Sequence, residues 1–79
     1  MVQQQNADIL DFPLADWELF LSIVGNFAGN SRLFSYNEQH IQLQSLPIFL
    51  LSDLNEGKRL TNMNGLTVWR NGARYYIQV

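Results

Sequence analysis

His40 is the only imidazole in this chain, and there is no cysteine. Thiolate metal sites, disulfides and a His-rich zinc site are therefore excluded. His40 falls on the polar side of the alternating run His40-Ile41-Gln42-Leu43-Gln44, so it reads as a solvated imidazole rather than a general base. The carboxylates are scattered. Asp53 and Glu56 share a turn, and Asp8 and Asp11 share a lead-in segment. Paired carboxylates do acid–base work only where a pocket splits their pKa values, and 79 residues leave little material for a pocket beside a core. Gly25 and Gly29 lie on and after a helical run, not between a strand and a helix N-terminus, so no phosphate-binding loop is formed. The expectation is a protein without catalysis, cofactor or metal.

The residues left with recognition chemistry are Trp, Tyr and Arg near the C-terminus. Leu66 to Val79 reads as a β-hairpin folded at Asn71-Gly72, because a type I′ turn needs positive φ at both central residues and Asn-Gly meets that need with little strain. With Asn71-Gly72 as the loop, Arg70 pairs with Ala73, Trp69 with Arg74, Val68 with Tyr75 and Thr67 with Tyr76. Leu66, Val68, Tyr75, Ile77 and Val79 then share the core face, with the Tyr75 hydroxyl directed to an edge. Thr67, Trp69, Arg74, Tyr76 and Gln78 share the other face, with a cation–π contact expected between Trp69 and Arg74.

Three uses of that outer face follow. It is a cross-strand cluster that stiffens the sheet, a protein-contact patch rich in the residue types that dominate interface hot spots, or a platform for single-stranded bases. Acidity weighs against the last. The net charge is −2 with only five Lys and Arg, so few phosphates can be neutralised.

The elements that must hold this face are read from pattern. Residues 1–7 are Gln- and Asn-rich and are expected to form a disordered tail, leaving 8–79 as one domain. Asp8 to Phe12 leads in, and Pro13 suits the first turn of a helix. From Leu14 to Phe27 apolar residues fall at helical spacing: Trp17, Phe20, Leu21, Val24 and Phe27. Asp16 and Glu18 favour the positive end of its dipole, and Gly29 suits the C-terminal cap. A second stripe, Leu14, Leu19 and Ile23, leaves only a narrow polar arc. It either sinks into the domain's own core or meets a second chain, which makes these three residues the candidates for self-association.

Arg32–Tyr36 and His40–Gln44 flank Asn37-Glu38-Gln39 as a first hairpin. Ser45 to Gly57 reads either as a short helix capped by Ser45, with Leu46, Phe49, Leu50 and Leu54 on one face, or as a strand; the helix is preferred. Asn55-Glu56-Gly57-Lys58 is a turn. Asn64-Gly65 is a second tight turn, so 59–63, 66–70 and 73–79 form a meander. The expected fold is α+β, with an N-terminal helix on a mostly antiparallel sheet of four or five strands.

Composition bounds the rest. Surface scaling gives a folded area of about 4,900 Å2, enough to enclose one small core. Apolar residues make up 47% and aromatic residues 13%, while charged residues are only 15%, against the usual quarter; a face hidden by a partner is one reading of that deficit. Residues 1–30 carry four acidic and no basic side chains, and 31–79 sum to +2. That asymmetry either closes within the molecule or steers a partner. No signal peptide, repeat or spanning segment is legible, so a cytoplasmic location is the default.

The functional expectation is a non-catalytic protein-interaction module, a small adaptor, regulator or inhibitor of a larger protein, forming a homodimer. Its contact residues are Thr67, Trp69, Arg74 and Tyr76. The alternative is a small single-stranded nucleic-acid binder using the same sheet face.

Overall fold

The computed structural model describes residues 9–52 and 57–79. The expected tail, Leu54 and the Asp53/Glu56 pair lie outside them. The fold is α+β, but the sheet has six strands rather than four or five. They are β1 (Ile9–Pro13), β2 (Leu33–Tyr36), β3 (Gln39–Gln42), β4 (Arg59–Asn62), β5 (Thr67–Asn71) and β6 (Arg74–Gln78). All neighbours are antiparallel, in the order β1-β6-β5-β4-β2-β3.

The added strand is β1, which the sequence presents as a lead-in. Ile9 pairs with Gln78 and Pro13 with Arg74. Its partners lie at the other end of the chain, so no local pattern marks it. Its position at the sheet edge also explains Pro13, which lacks the N–H that an inner strand must donate. Pro13 is extended (φ −62°, ψ 152°) and passes into a single 3-10 turn, Leu14–Asp16. The α-helix α1 therefore runs from Trp17 to Ala28, three residues later than the apolar spacing suggests. Gly29 closes it with φ 59° and donates its N–H to the Gly25 carbonyl.

The first hairpin turns on two residues rather than three. Asn37 and Glu38 both hold positive φ (48° and 68°), the type I′ geometry, and Tyr36 pairs with Gln39. The ambiguous segment is helical: a 3-10 turn, Leu43–Ser45, leads into α2, Leu46–Ser52. Leu46 and Leu50 are buried, as the helical reading requires, and Phe49 is partly buried against the core.

In the last hairpin the loop is Gly72-Ala73, and Asn71 pairs with Arg74. The expected pairs are displaced by two residues, so Trp69 faces Tyr76 and Val68 faces Ile77. Gly72 has φ 67° while Ala73 does not take positive φ, the pattern of a type II′ turn led by glycine. Two contacts hold it there: Leu14 N–H donates to the Ala73 carbonyl at 3.2 Å, and Arg70 Nε donates to the Gly72 carbonyl at 2.9 Å. Only an odd slip exchanges the faces of a strand. The two-residue displacement therefore leaves the side chains of β5 and β6 on the faces that the sequence assigns.

Both helices lie on one face of the sheet. Phe20, Val24 and Ala28 of α1 and Leu46 and Leu50 of α2 meet Phe34, Leu60, Leu66, Val68, Tyr75 and Ile77 in one cluster. Three core expectations need correction. Trp17 and Phe27, assigned to the buried stripe of α1, are each 45% exposed, and Val79 is 46% exposed. Trp17 is the first residue of α1 and faces α2 rather than the sheet; Val79 lies past the last strand.

The Tyr75 hydroxyl does not reach an edge. It is buried with no hydrogen-bond partner among the described residues, and its ring stacks on Phe20 at 4.4 Å. Burial raises the phenol pKa above its usual 10.0, with nearby Arg70 opposing the shift. A buried hydroxyl without a partner is destabilising. Tyr75→Phe is therefore expected to raise stability by about 1 kcal/mol and Tm by about 4–8 °C. The sign of the pH effect follows from the raised pKa. The folded state holds the phenolic proton more tightly than the unfolded chain, so stability falls as pH rises above about 10. Denaturant melts at pH 7 and pH 10.5 check both points; a Tyr75→Phe variant less stable than the parent at pH 7 refutes the unsatisfied-hydroxyl account.

Candidate contact surfaces

The sheet face away from the helices is built from the alternate residues of each strand. The register lays Asp11, Tyr76, Trp69 and Arg59 in one row across β1, β6, β5 and β4. Trp69 and Tyr76 stack with ring centroids 5.4 Å apart and planes 8° from parallel. The Arg59 guanidinium carbon lies 3.9 Å from the Trp69 ring centre. Trp69 is thus only 6% exposed although it belongs to no part of the main core.

Of the four expected contact residues, Trp69 and Tyr76 are brought together. Arg74 is not on Trp69. Its Nε donates to Asp11 Oδ2 at 2.7 Å, an exposed pair of the kind worth about 0.2–1 kcal/mol. Arg59 takes the cation position instead. The sequence misses it because its register depends on the loop between β4 and β5, which spans more than the Asn64-Gly65 pair. Thr67 lies opposite Thr61, their hydroxyl oxygens 3.4 Å apart. Further along this face Ser35 and His40 sit directly opposite each other, but no hydrogen bond joins the hydroxyl and the imidazole. No group of three or more potential metal-ligating side chains occurs among the described residues.

The three self-association candidates separate. Leu14 and Ile23 are partly buried against the domain's own core, and Leu19 is 51% exposed. The second stripe of α1 therefore offers a partner chiefly Leu19.

A surface that the sequence reading passes over lies where α1 meets α2. Trp17, Gln44, Pro47, Ile48 and Leu51 line a groove of about 310 Å3. Ile48 is 72% exposed and Leu51 45%. The available signal was the apolar run Leu46-Pro47-Ile48-Phe49-Leu50-Leu51. A helix of that composition cannot bury every side chain on one neighbour. On the far side of α2, Ile48 also borders a shallow hollow with His40, Ile41, Gln42, Ser45, Phe49 and Ser52. Lys58 closes the adjoining region, its ammonium 4.1 Å from the Phe49 ring centre and 4.7 Å from that of Tyr36.

No described helix is long and apolar enough to cross a membrane. Compared with known protein families, curated proteins and solved structures, the chain matches none.

Proposed function

We propose that this chain is a non-catalytic protein-interaction module, a small adaptor, regulator or inhibitor of a larger protein. The observation that carries this reading is the open apolar seam between α1 and α2, where Trp17, Ile48 and Leu51 stand exposed together. Large apolar side chains grouped on a surface mark contact sites, whereas scattered ones do not.

The proposed contact site is the helical layer rather than the sheet face. Trp69 has Arg59 against one side and Tyr76 against the other, so it supports the structural reading of that cluster. The same closure weakens the nucleic-acid alternative. A base stacks on a free aromatic face, and Arg74 beside it is already neutralised by Asp11.

Affinity capture from the native host with mass spectrometry tests the module reading, with blocked matrix as control. A reproducible partner released by excess free protein is the expected result; wild-type protein that enriches nothing over the matrix refutes it. A parallel titration with a labelled oligonucleotide is expected to show no binding even at low salt. Binding that weakens steeply as salt rises would replace the proposal with the nucleic-acid reading.

A further inference from the structure

The two edges of the sheet are built differently. An edge strand offers unpaired N–H and C=O groups to any strand that can reach it, and proteins blunt such edges with proline or charge. β1 is blunted. Leu14 N–H donates to the Ala73 carbonyl, so alternation directs the backbone groups of Ile9, Asp11 and Pro13 outward. Pro13 has no N–H to offer there, and Asp11 sets a carboxylate two residues away.

β3, at the other edge, has neither device. Gln39-His40-Ile41-Gln42 contains no proline and no Asp, Glu, Lys or Arg. Leu43 N–H donates to the Arg32 carbonyl at 3.0 Å, which continues the β2–β3 ladder and turns Gln39 and Ile41 toward β2. The N–H and C=O groups of His40 and Gln42 therefore point to the open side. Beside them lies the hollow of about 360 Å3 between β3 and α2, bordered by Ile41, Ile48 and Phe49.

We propose that β3 pairs antiparallel with β3 of a second copy, about a twofold axis at Ile41, to form a dimer with one continuous sheet. The phase of the edge selects this occupant. His40 and Gln42 flank Ile41 symmetrically, so the axis sets His40 of each copy opposite Gln42 of the other. Every outward N–H then meets an outward carbonyl. Ile41 meets Ile41 of the second copy at the close, non-hydrogen-bonded position, with about 4.5 Å between Cα atoms. The axis stands perpendicular to the sheet, so α2 of both copies lies on the same side and the two hollows join around the isoleucine pair. Residues 39–52 carry no Asp, Glu, Lys or Arg, so no like charges are brought together at the axis. A strand from another protein would have to supply this match; a second copy carries it by symmetry. Pairing β3 with β1 of another copy would run on as an open filament, and Pro13 withholds a donor from it. The dimer does not depend on what the seam between α1 and α2 holds.

The test uses the full chain. Sedimentation over about a hundredfold range of concentration is expected to show a monomer–dimer equilibrium. Hydrogen exchange should find the His40 and Gln42 amides at least about tenfold slower in concentrated than in dilute protein, while those of Ile9 and Asp11 keep their rates. Gln42→Pro is the decisive variant. Gln42 has φ −72° and ψ 152°, which proline adopts without strain, and the N–H that it removes points outward. The variant should keep its circular dichroism spectrum and dimerise at least about tenfold more weakly. Should it fail to fold, the wild-type amides decide alone.

A wild-type chain that stays monomeric throughout overturns the proposal. So does a dimer that folded Gln42→Pro forms as tightly, or one in which His40 and Gln42 exchange as fast as in the monomer. A monomer whose His40 and Gln42 amides gain protection only when a captured host protein is added also overturns it, because the edge then takes a foreign strand.

Discussion

Phe20→Ala lowers the unfolding free energy by about 3–5 kcal/mol, the range for a large aromatic removed from a closed core. Phe20 is fully buried and joins two layers of the fold. Its ring stacks on Tyr75 of β6 at 4.4 Å with 24° between planes, and meets Phe12 of β1 edge-on at 6.2 Å. One side chain thus ties α1 to the strand that the sequence hides and to the strand that pairs with it. The whole domain has about 4–12 kcal/mol to lose at 0.05–0.15 kcal/mol per residue, so the variant forfeits a large share of its stability. Leu19→Ala is the control. Leu19 precedes Phe20 but is 51% exposed, and its loss should stay within about 0.5 kcal/mol. Urea melts of the two variants measure the difference. A Phe20→Ala loss below about 1.5 kcal/mol, or equal losses for both, would mean that α1 does not present this face to the sheet.

The contrast between Leu19 and Phe20 shows what was legible in the chain. The period of α1 was plain, because apolar residues recur at helical spacing and acidic residues gather at its start. Which apolar residues its partners would cover was not. Periodicity gives the direction of a side chain and says nothing of how far the neighbouring layer extends. Trp17 shares the helical spacing of Phe20 and Val24, yet it ends in the seam with α2. β1 was illegible for a related reason. Ile9-Leu10-Asp11-Phe12-Pro13 becomes a strand only because β6 lies beside it, and that pairing is set by the folded topology.

The candidate site divides along the same line. The faces of β5 and β6 survived a wrong turn assignment, because a displacement by two residues preserves alternation. The contacts within the face did not survive it. Trp69 gained Tyr76 and Arg59, while Arg74 went to Asp11 on a strand that local pattern does not reveal. Residue type therefore located an aromatic and cationic cluster. Register decided which of its side chains touch.

Asn62→Ala is expected to cost about 2–3 kcal/mol, although Asn64-Gly65 is the pair that the sequence advertises in this loop. Asn62 is 5% exposed, the one buried polar residue described. Its Oδ1 accepts from the backbone N–H groups of Asn64 and Leu66, both at 2.9 Å. Its Nδ2 donates to the Ser31 carbonyl at 3.3 Å. One amide thus shapes the loop between β4 and β5 and fastens it to the segment after α1. Alanine removes all three bonds and leaves the Leu66 N–H buried without an acceptor, a penalty of about 1–3 kcal/mol for that group alone. Asn64 contributes a backbone donor that alanine keeps, and its exposed side chain forms no hydrogen bond among the described residues. Asn64→Ala should therefore change stability by no more than about 0.5 kcal/mol. Amide exchange at Leu66 separates the two: protection falls in Asn62→Ala and persists in Asn64→Ala. The loop also sets the register that places Arg59 against Trp69, so the indole signal of Trp69 should shift in the first variant alone. Equal losses for the two variants, with Leu66 still protected, would place the control of this loop at the Asn64-Gly65 turn instead.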